Sequence, residues 1–161
     1  MSIEKCRAYL AQRGYEDRIR EFDVSSATVE LAAQAVGCQP AHIAKTLSFL
    51  HEDGAVLIVC AGDAKIDNSK FKAQFHHKAT MLSPEQVETF TGHRIGGVCP
   101  FAIEHPNTVT YLDVSLRRFE TIYPAAGNAA SAVKLNCDEL ARLSNSLGWI
   151  DVCKGWQTPA Q

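Results

Sequence analysis

Two short segments carry residue types able to do chemistry. In Gly96-Gly97-Val98-Cys99-Pro100 the Gly-Gly step leaves two backbone N–H groups unshielded by any Cβ, so another molecule's oxygen atoms can approach the main chain. Pro100 stiffens the exit from that loop. Upstream, Lys45 is the only cation in the apolar run from Ile43 to Leu50. A lysine in a strand of that kind must reach water, a carboxylate or a bound anion, because an unpaired buried ammonium is expensive. Exposed amides together with a placed lysine describe a site for a carbonyl or phosphate ester.

The elements that must position these residues are legible from pattern. A first helix is expected from Ile3 to Arg13, stopped by Gly14, and a short strand from Arg20 to Asp23. Ser25, Ser26 and Thr28 are candidate caps for a helix from Val29 to Val36, closed by Gly37. Lys45–His51 and Ala55–Cys60 flank the turn Glu52-Asp53-Gly54 and predict a hairpin. Gly62-Asp63-Ala64-Lys65 punctuates its exit, before a helix from Asn68 to Phe75 and a strand near Ala79–Leu82. Ser83-Pro84-Glu85-Gln86 has cap, N1 proline and capping-box glutamine for a helix that stops at Gly92. Strands are expected at Thr108–Leu112, Glu120–Tyr123 and Ser131–Leu135, with a turn at Gly127. Asn136 with Glu139 opens a last helix running to about Gly148. Strands and helices without a regular βαβ rhythm indicate an α+β domain with a largely antiparallel or mixed sheet. One domain over residues 1–156 and a loose tail over 157–161 are expected.

Composition excludes several classes. Of 161 residues, 46% are hydrophobic and 21% charged, with a net charge of −2, which disfavours a broad electrostatic grip on duplex nucleic acid, DNA included, and leaves open a hold on the end of an RNA strand. No apolar stretch reaches the length of a membrane span. The six cysteines are scattered without a CxxC pair, as expected of reduced thiols in a cytoplasmic protein rather than a disulfide framework or zinc site. Adjacent His76 and His77 point in different directions, so no metal site is expected from spacing. Cys99 lies near His93 and His105 in the sequence, which raises thiol nucleophilic chemistry as a minor reading.

Ala44-Lys45-Thr46-Leu47, Gly62-Asp63-Ala64-Lys65, Gly96 to Phe101, Asp113-Val114-Ser115 and Gly127 occur in the order and spacing of the YbaK/ProX aminoacyl-tRNA deacylases. The chain resembles this family, free-standing relatives of the prolyl-tRNA synthetase editing domain, from about residue 20 to 145. The resemblance implies a compact α+β fold and hydrolysis of a wrongly attached small amino acid, such as alanine or cysteine, from the 3′ end of a tRNA, with tRNA(Pro) as the expected acceptor. It makes Lys45 the residue needed for activity. Thr46, Gly62, Asp63, Gly96, Gly97, Val98, Cys99, Pro100 and Gly127 become substrate-binding candidates. It implies no cofactor or metal, the aminoacylated tRNA end as partner, and a prolyl-tRNA synthetase as a second one.

An aminoacyl ester is already activated. Amides near Gly96 and Gly97 are candidate oxyanion donors, and Lys45 a candidate anchor for the terminal phosphate or ribose. Where family loops commonly read Gly-Gly-Val-Ser-Pro, this chain has Cys99. Ala125 and Ala132 stand where the cysteine-removing branch carries a serine and an aspartate, which shifts the expected substrate toward alanine or another small residue. Lys65, Lys70 and Lys72 are candidate contacts for RNA phosphates, with a solvated helix face as the plain alternative. Gly62, Asp63 and Lys65 serve equally well as hairpin exit and helix cap, and Asp113 with Ser115 fits an Asx-type turn. The alternative function is a non-catalytic module that binds a tRNA end or a synthetase.

Overall fold

The computed structural model describes residues 2–23 and 28–157. Around a five-stranded mixed sheet it arranges α1 (Ser2–Ala11), β1 (Ile19–Glu21), α2 (Val29–Val36), β2 (Ile43–His51) and β3 (Gly54–Ala61). β4 (Lys65–Ile66), α3 (Asn68–Phe75), α4 (Pro84–Thr91) and β5 (Thr108–Asp113) follow. The chain closes with β6 (Tyr123–Pro124), β7 (Ser131–Val133), α5 (Cys137–Leu143), β8 (Trp149–Ile150) and β9 (Cys153–Lys154).

The sheet order is β6-β2-β3-β5-β8. Its longest pairing is the antiparallel hairpin β2–β3, running from Ala44↔Ala61 to His51↔Gly54. The other three pairings, β2–β6, β3–β5 and β5–β8, are parallel. Antiparallel character therefore concentrates in the hairpin and in two small ribbons, β1–β7 and β4–β9. Every residue of β3 is buried, as a continuous apolar run covered on both faces requires. Phe71 and Phe75 of α3 cover one part of this core, with Phe71 edge-on to Phe49 at 5.1 Å, and Cys6 and Leu10 of α1 are also fully buried.

Local signals set most helix ends. Thr28 accepts from Leu31 N and caps α2, whereas Ser25 and Ser26 lie outside the described residues. Ser83/Gln86 and Asn136/Glu139 both form complete capping boxes. Gly37 and Gly92 end α2 and α4 in the left-handed region, where a Cβ is disfavoured.

Several elements differ from expectation, among them β6, which is Tyr123–Pro124 rather than Glu120–Tyr123, and β7, which ends at Val133 rather than Leu135. α5 ends at Leu143 rather than near Gly148, because residues 144–148 turn back so that Leu147 N donates to Thr110 O and Leu112 N to Gly148 O. The expected strand at Ala79–Leu82 is an edge strap along the second half of β2, with Leu50 N bonded to Thr80 O and Leu82 N to Ser48 O. β4, β8 and β9, two residues each, are too short to show a period. Of the expected tail, only Gln157 falls among the described residues.

Candidate active site

A cavity of about 350 Å³ opens at the N-terminal half of β2. Its floor and walls come from Ile43–Ser48 of β2, Val29 and Ala32 of α2, and Leu82 and Val87 around α4, with Gly96 and Val98 on the glycine loop. Tyr123, Ala125, Ser131 and Ala132 close it from the β6–β7 side. The arrangement follows from topology: β6 pairs in parallel with the start of β2, which carries Tyr123 and Ala125 to the strand that bears Lys45.

Two polar groups stand out against this mostly apolar wall. Lys45 is half-buried; Nζ donates to Gly62 O at 3.4 Å and, among the described residues, makes no ion pair with a carboxylate. Thr46 Oγ1 is shielded from solvent and has no hydrogen-bond partner among the described residues. A buried hydroxyl left alone costs free energy, and Thr46 is one of the residues that line the cavity. Met81 and Ile95, 64% and 62% exposed, form an apolar rim.

Of the residues singled out from sequence, Lys45, Thr46, Gly96 and Val98 meet on this cavity. The others take different places. Gly97 is glycine for packing: a Cβ there would meet Asn128 Cα at 2.4 Å. Its N–H donates to Arg94 O at 3.0 Å, which corrects the expectation that it is a free oxyanion donor. With Gly127, Gly97 lines a second cavity behind the loop, of about 550 Å³, together with Lys5 and Arg94. Gly62 is held against the turn before β2, where a Cβ would meet Pro40 O at 2.0 Å. Asp63 is engaged by the Arg118 guanidinium at 2.6 and 3.1 Å, which fixes the hairpin exit.

Cys99 and Pro100 are buried beneath the loop and do not line the cavity. Cys99 Sγ lies 3.4 Å from Cys6 Sγ and 3.5 Å from His93 Nε2, and all three residues are fully buried. A hydrogen bond from Cys99, reinforced by His93, lowers the Cys6 thiol pKa to about 6, whereas burial, then Cys6 itself, drives that of Cys99 up. A thiol with no path to the cavity cannot attack a bound ester, so nucleophilic chemistry at Cys99 is set aside.

Lys65, Lys70 and Lys72 sit on the β4–α3 unit, away from the cavity, and Lys70 Nζ is bound to Asp151 at 3.0 Å and Cys153 O at 3.2 Å. Asp113 is fully buried and accepts from Ser115 N and Val152 N, each at 2.9 Å, while Ser115 Oγ accepts from Ala61 N. Both act as stitching for the end of β5. Sequence reasoning missed Ser48, Met81, Ile95 and Tyr123 as cavity residues. None belongs to a motif: Ser48 follows Leu47 on β2 and Ile95 precedes Gly96, while the pairing of β6 and of the edge strap with β2 brings Tyr123 and Met81 there.

No helix among the described residues is long and apolar enough to cross a membrane. Residues 24–143 match the model of the aminoacyl-tRNA editing domain. The chain is 52% identical over 158 residues, 98% of its length and all of the relative's, to "Uncharacterized protein YwhH" of Bacillus subtilis (strain 168). It is 28% identical over 93 residues, 57% of this chain, to the "Proline--tRNA ligase" of Thermotoga neapolitana, of which the match spans 16%. It also superimposes with a TM-score of 0.86, at 30% identity and covering 96% of this chain and 98% of the other, on the solved structure named "Crystal structure of a putative trans-editing enzyme for prolyl tRNA synthetase". Motifs, sheet topology and these likenesses agree: the chain belongs to the aminoacyl-tRNA editing domain family.

Proposed function

We propose that the protein is a trans-editing deacylase that hydrolyses the ester between a small amino acid and the 3′ end of a tRNA, with tRNA(Pro) as the acceptor. The observation that carries this reading is Lys45, an ammonium without a carboxylate partner among the described residues, at the wall of an apolar cavity faced by Gly96. The cavity suits one aminoacyl group and the sugar that bears it. Lys45 holds a phosphate, ribose or carbonyl oxygen of the incoming end and so orients the ester for water.

Charge that develops on the carbonyl oxygen needs preorganised donors. Gly96 has φ +94° and lines the cavity. Its N–H has no partner among the described residues, so it supports an oxyanion contact where Gly97 does not. Thr46 supplies a hydroxyl that can bond the substrate. Ala32, Ala125 and Ala132 give the cavity a stretch of small apolar wall. This favours alanine over cysteine as the amino acid removed, since a pocket of this kind discriminates by volume.

The test is deacylation of a panel of mischarged tRNAs. The expected result is hydrolysis of alanyl-tRNA(Pro) well above the uncatalysed rate, with slower removal of larger amino acids. Tight binding of the charged tRNA end with no turnover would instead establish the non-catalytic binding module.

A further inference from the structure

Cys6, His93 and Cys99 come from α1 and from the segment that follows α4, and each is fully buried. Their donor atoms form a compact triangle: Sγ to Sγ 3.4 Å, Cys99 Sγ to His93 Nε2 3.5 Å, and Cys6 Sγ to His93 Nε2 3.9 Å. Tetrahedral coordination with metal–sulfur bonds of about 2.3 Å and metal–nitrogen bonds of about 2.0–2.1 Å gives donor–donor edges of roughly 3.5–3.8 Å. The triangle is close to one face of that tetrahedron. Phe101 O stands beside it, 2.9 Å from Nε2 and 3.9 Å from Cys6 Sγ.

We propose that Cys6, His93 and Cys99 form a structural site for a thiophilic divalent cation of the zinc class, with the Phe101 carbonyl as fourth donor. Charge selects the class. Two thiolates and a dication sum to zero with a neutral imidazole, whereas any unbalanced charge would be costly at a fully buried position. Both cysteines ligate as thiolates, with release of any thiol proton they still carry, and ligation through Nε2 requires the imidazole proton on Nδ1. None of the three residues lines the cavity with Lys45. The ion would therefore clamp α1 to the base of the loop that presents Gly96, taking no part in ester hydrolysis and standing independently of the editing reading.

The test uses the full chain and no activity assay. Protein purified under reducing conditions from zinc-supplemented cells should carry one zinc per chain. Protein refolded with cobalt(II) should show thiolate-to-cobalt charge transfer and the strong visible bands of a tetrahedral site. Cys6→Ser and Cys99→Ser should each weaken zinc binding by at least about 100-fold, beyond the usual cost of losing an outer-shell partner, whereas Cys38→Ser, outside the cluster, should not. If the serine variants fail to fold, the wild-type cobalt spectrum decides alone. Wild-type protein that binds neither ion stoichiometrically, or binding that survives Cys99→Ser, would overturn the proposal. So would a Cys6–Cys99 disulfide, seen as a mass two hydrogens lighter with no bound metal.

Discussion

The ammonium of Lys45 reaches the main-chain carbonyl of Gly62 at 3.4 Å and makes no ion pair among the described residues. The nearby acid that could have taken it, Asp63, is engaged instead by Arg118 at 2.6 Å. That pairing leaves Lys45 available to a ligand. Lys45→Ala should lower single-turnover deacylation by at least roughly 10²-fold, the scale of a lost charged transition-state contact. The melting temperature should change little, because a half-buried stem beside a cavity leaves only a small void. Lys45→Arg should also be impaired, since a planar fork does not replace a compact ammonium. Near-normal rates for Lys45→Ala would remove this residue from the mechanism.

Thr46 offers a cleaner separation of stability from activity. Its hydroxyl is buried without a partner, so Thr46→Val removes an unsatisfied group at almost constant shape. The variant should be as stable as wild type or more so, by up to about 1 kcal/mol. Deacylation should nevertheless fall about 10-fold, the worth of one neutral hydrogen bond to substrate. Chemical denaturation alongside the rate measurement checks both halves, and an unchanged rate would make the hydroxyl a bystander.

Gly97 should tolerate no side chain. A Cβ would sit 2.4 Å from Asn128 Cα and 2.8 Å from its N and C atoms, and backbone cannot move aside as a flexible side chain can. Gly97→Ala should destabilise the protein by roughly 1–3 kcal/mol, the usual cost of overpacking, and should displace the loop that carries Gly96. A fall in activity larger than the fall in folded fraction would show that displacement directly.

One ion pair should make stability depend on pH. Arg18 grips both oxygens of Glu139, each at 3.1 Å. Burial pushes the Glu139 carboxyl up, but the Arg18 bond, the Asn136 amide and the Arg18 charge outweigh it and hold the pKa below the usual glutamate value. A folded pKa below the unfolded one means stability present above the ordinary glutamate range and lost as pH falls through the folded value. Glu139→Gln keeps an oxygen for the capping box and removes only the charge. It should cost about 0.5–1 kcal/mol at neutral pH, since Arg18 is substantially exposed. The difference from wild type should shrink below about pH 4. Denaturant midpoints across pH provide the measurement, and a pH-independent difference would contradict the assignment.

What the sequence determined by itself was local. Ser83 with Gln86 and Asn136 with Glu139 specify helix starts through bonds within four residues, so both capping boxes could be read before any tertiary contact was known. The hairpin followed from two apolar runs flanking Glu52-Asp53-Gly54. Lys45 stood out for the same reason, as a charge where the pattern allows none. Tertiary structure decided everything that depends on what lies opposite. Gly96 and Gly97 are adjacent in the chain, yet one faces the cavity while the other is pressed against Asn128 with its amide already bonded. Tyr123 reaches the site because a two-residue parallel pairing, too short to leave a periodic trace, docks β6 beside β2. Cys6, His93 and Cys99 are dispersed across the chain and converge within 4.8 Å because α1 packs under the glycine loop. Spacing rules read metal sites only where the ligands share a turn, whereas long-range packing can assemble donors at any separation.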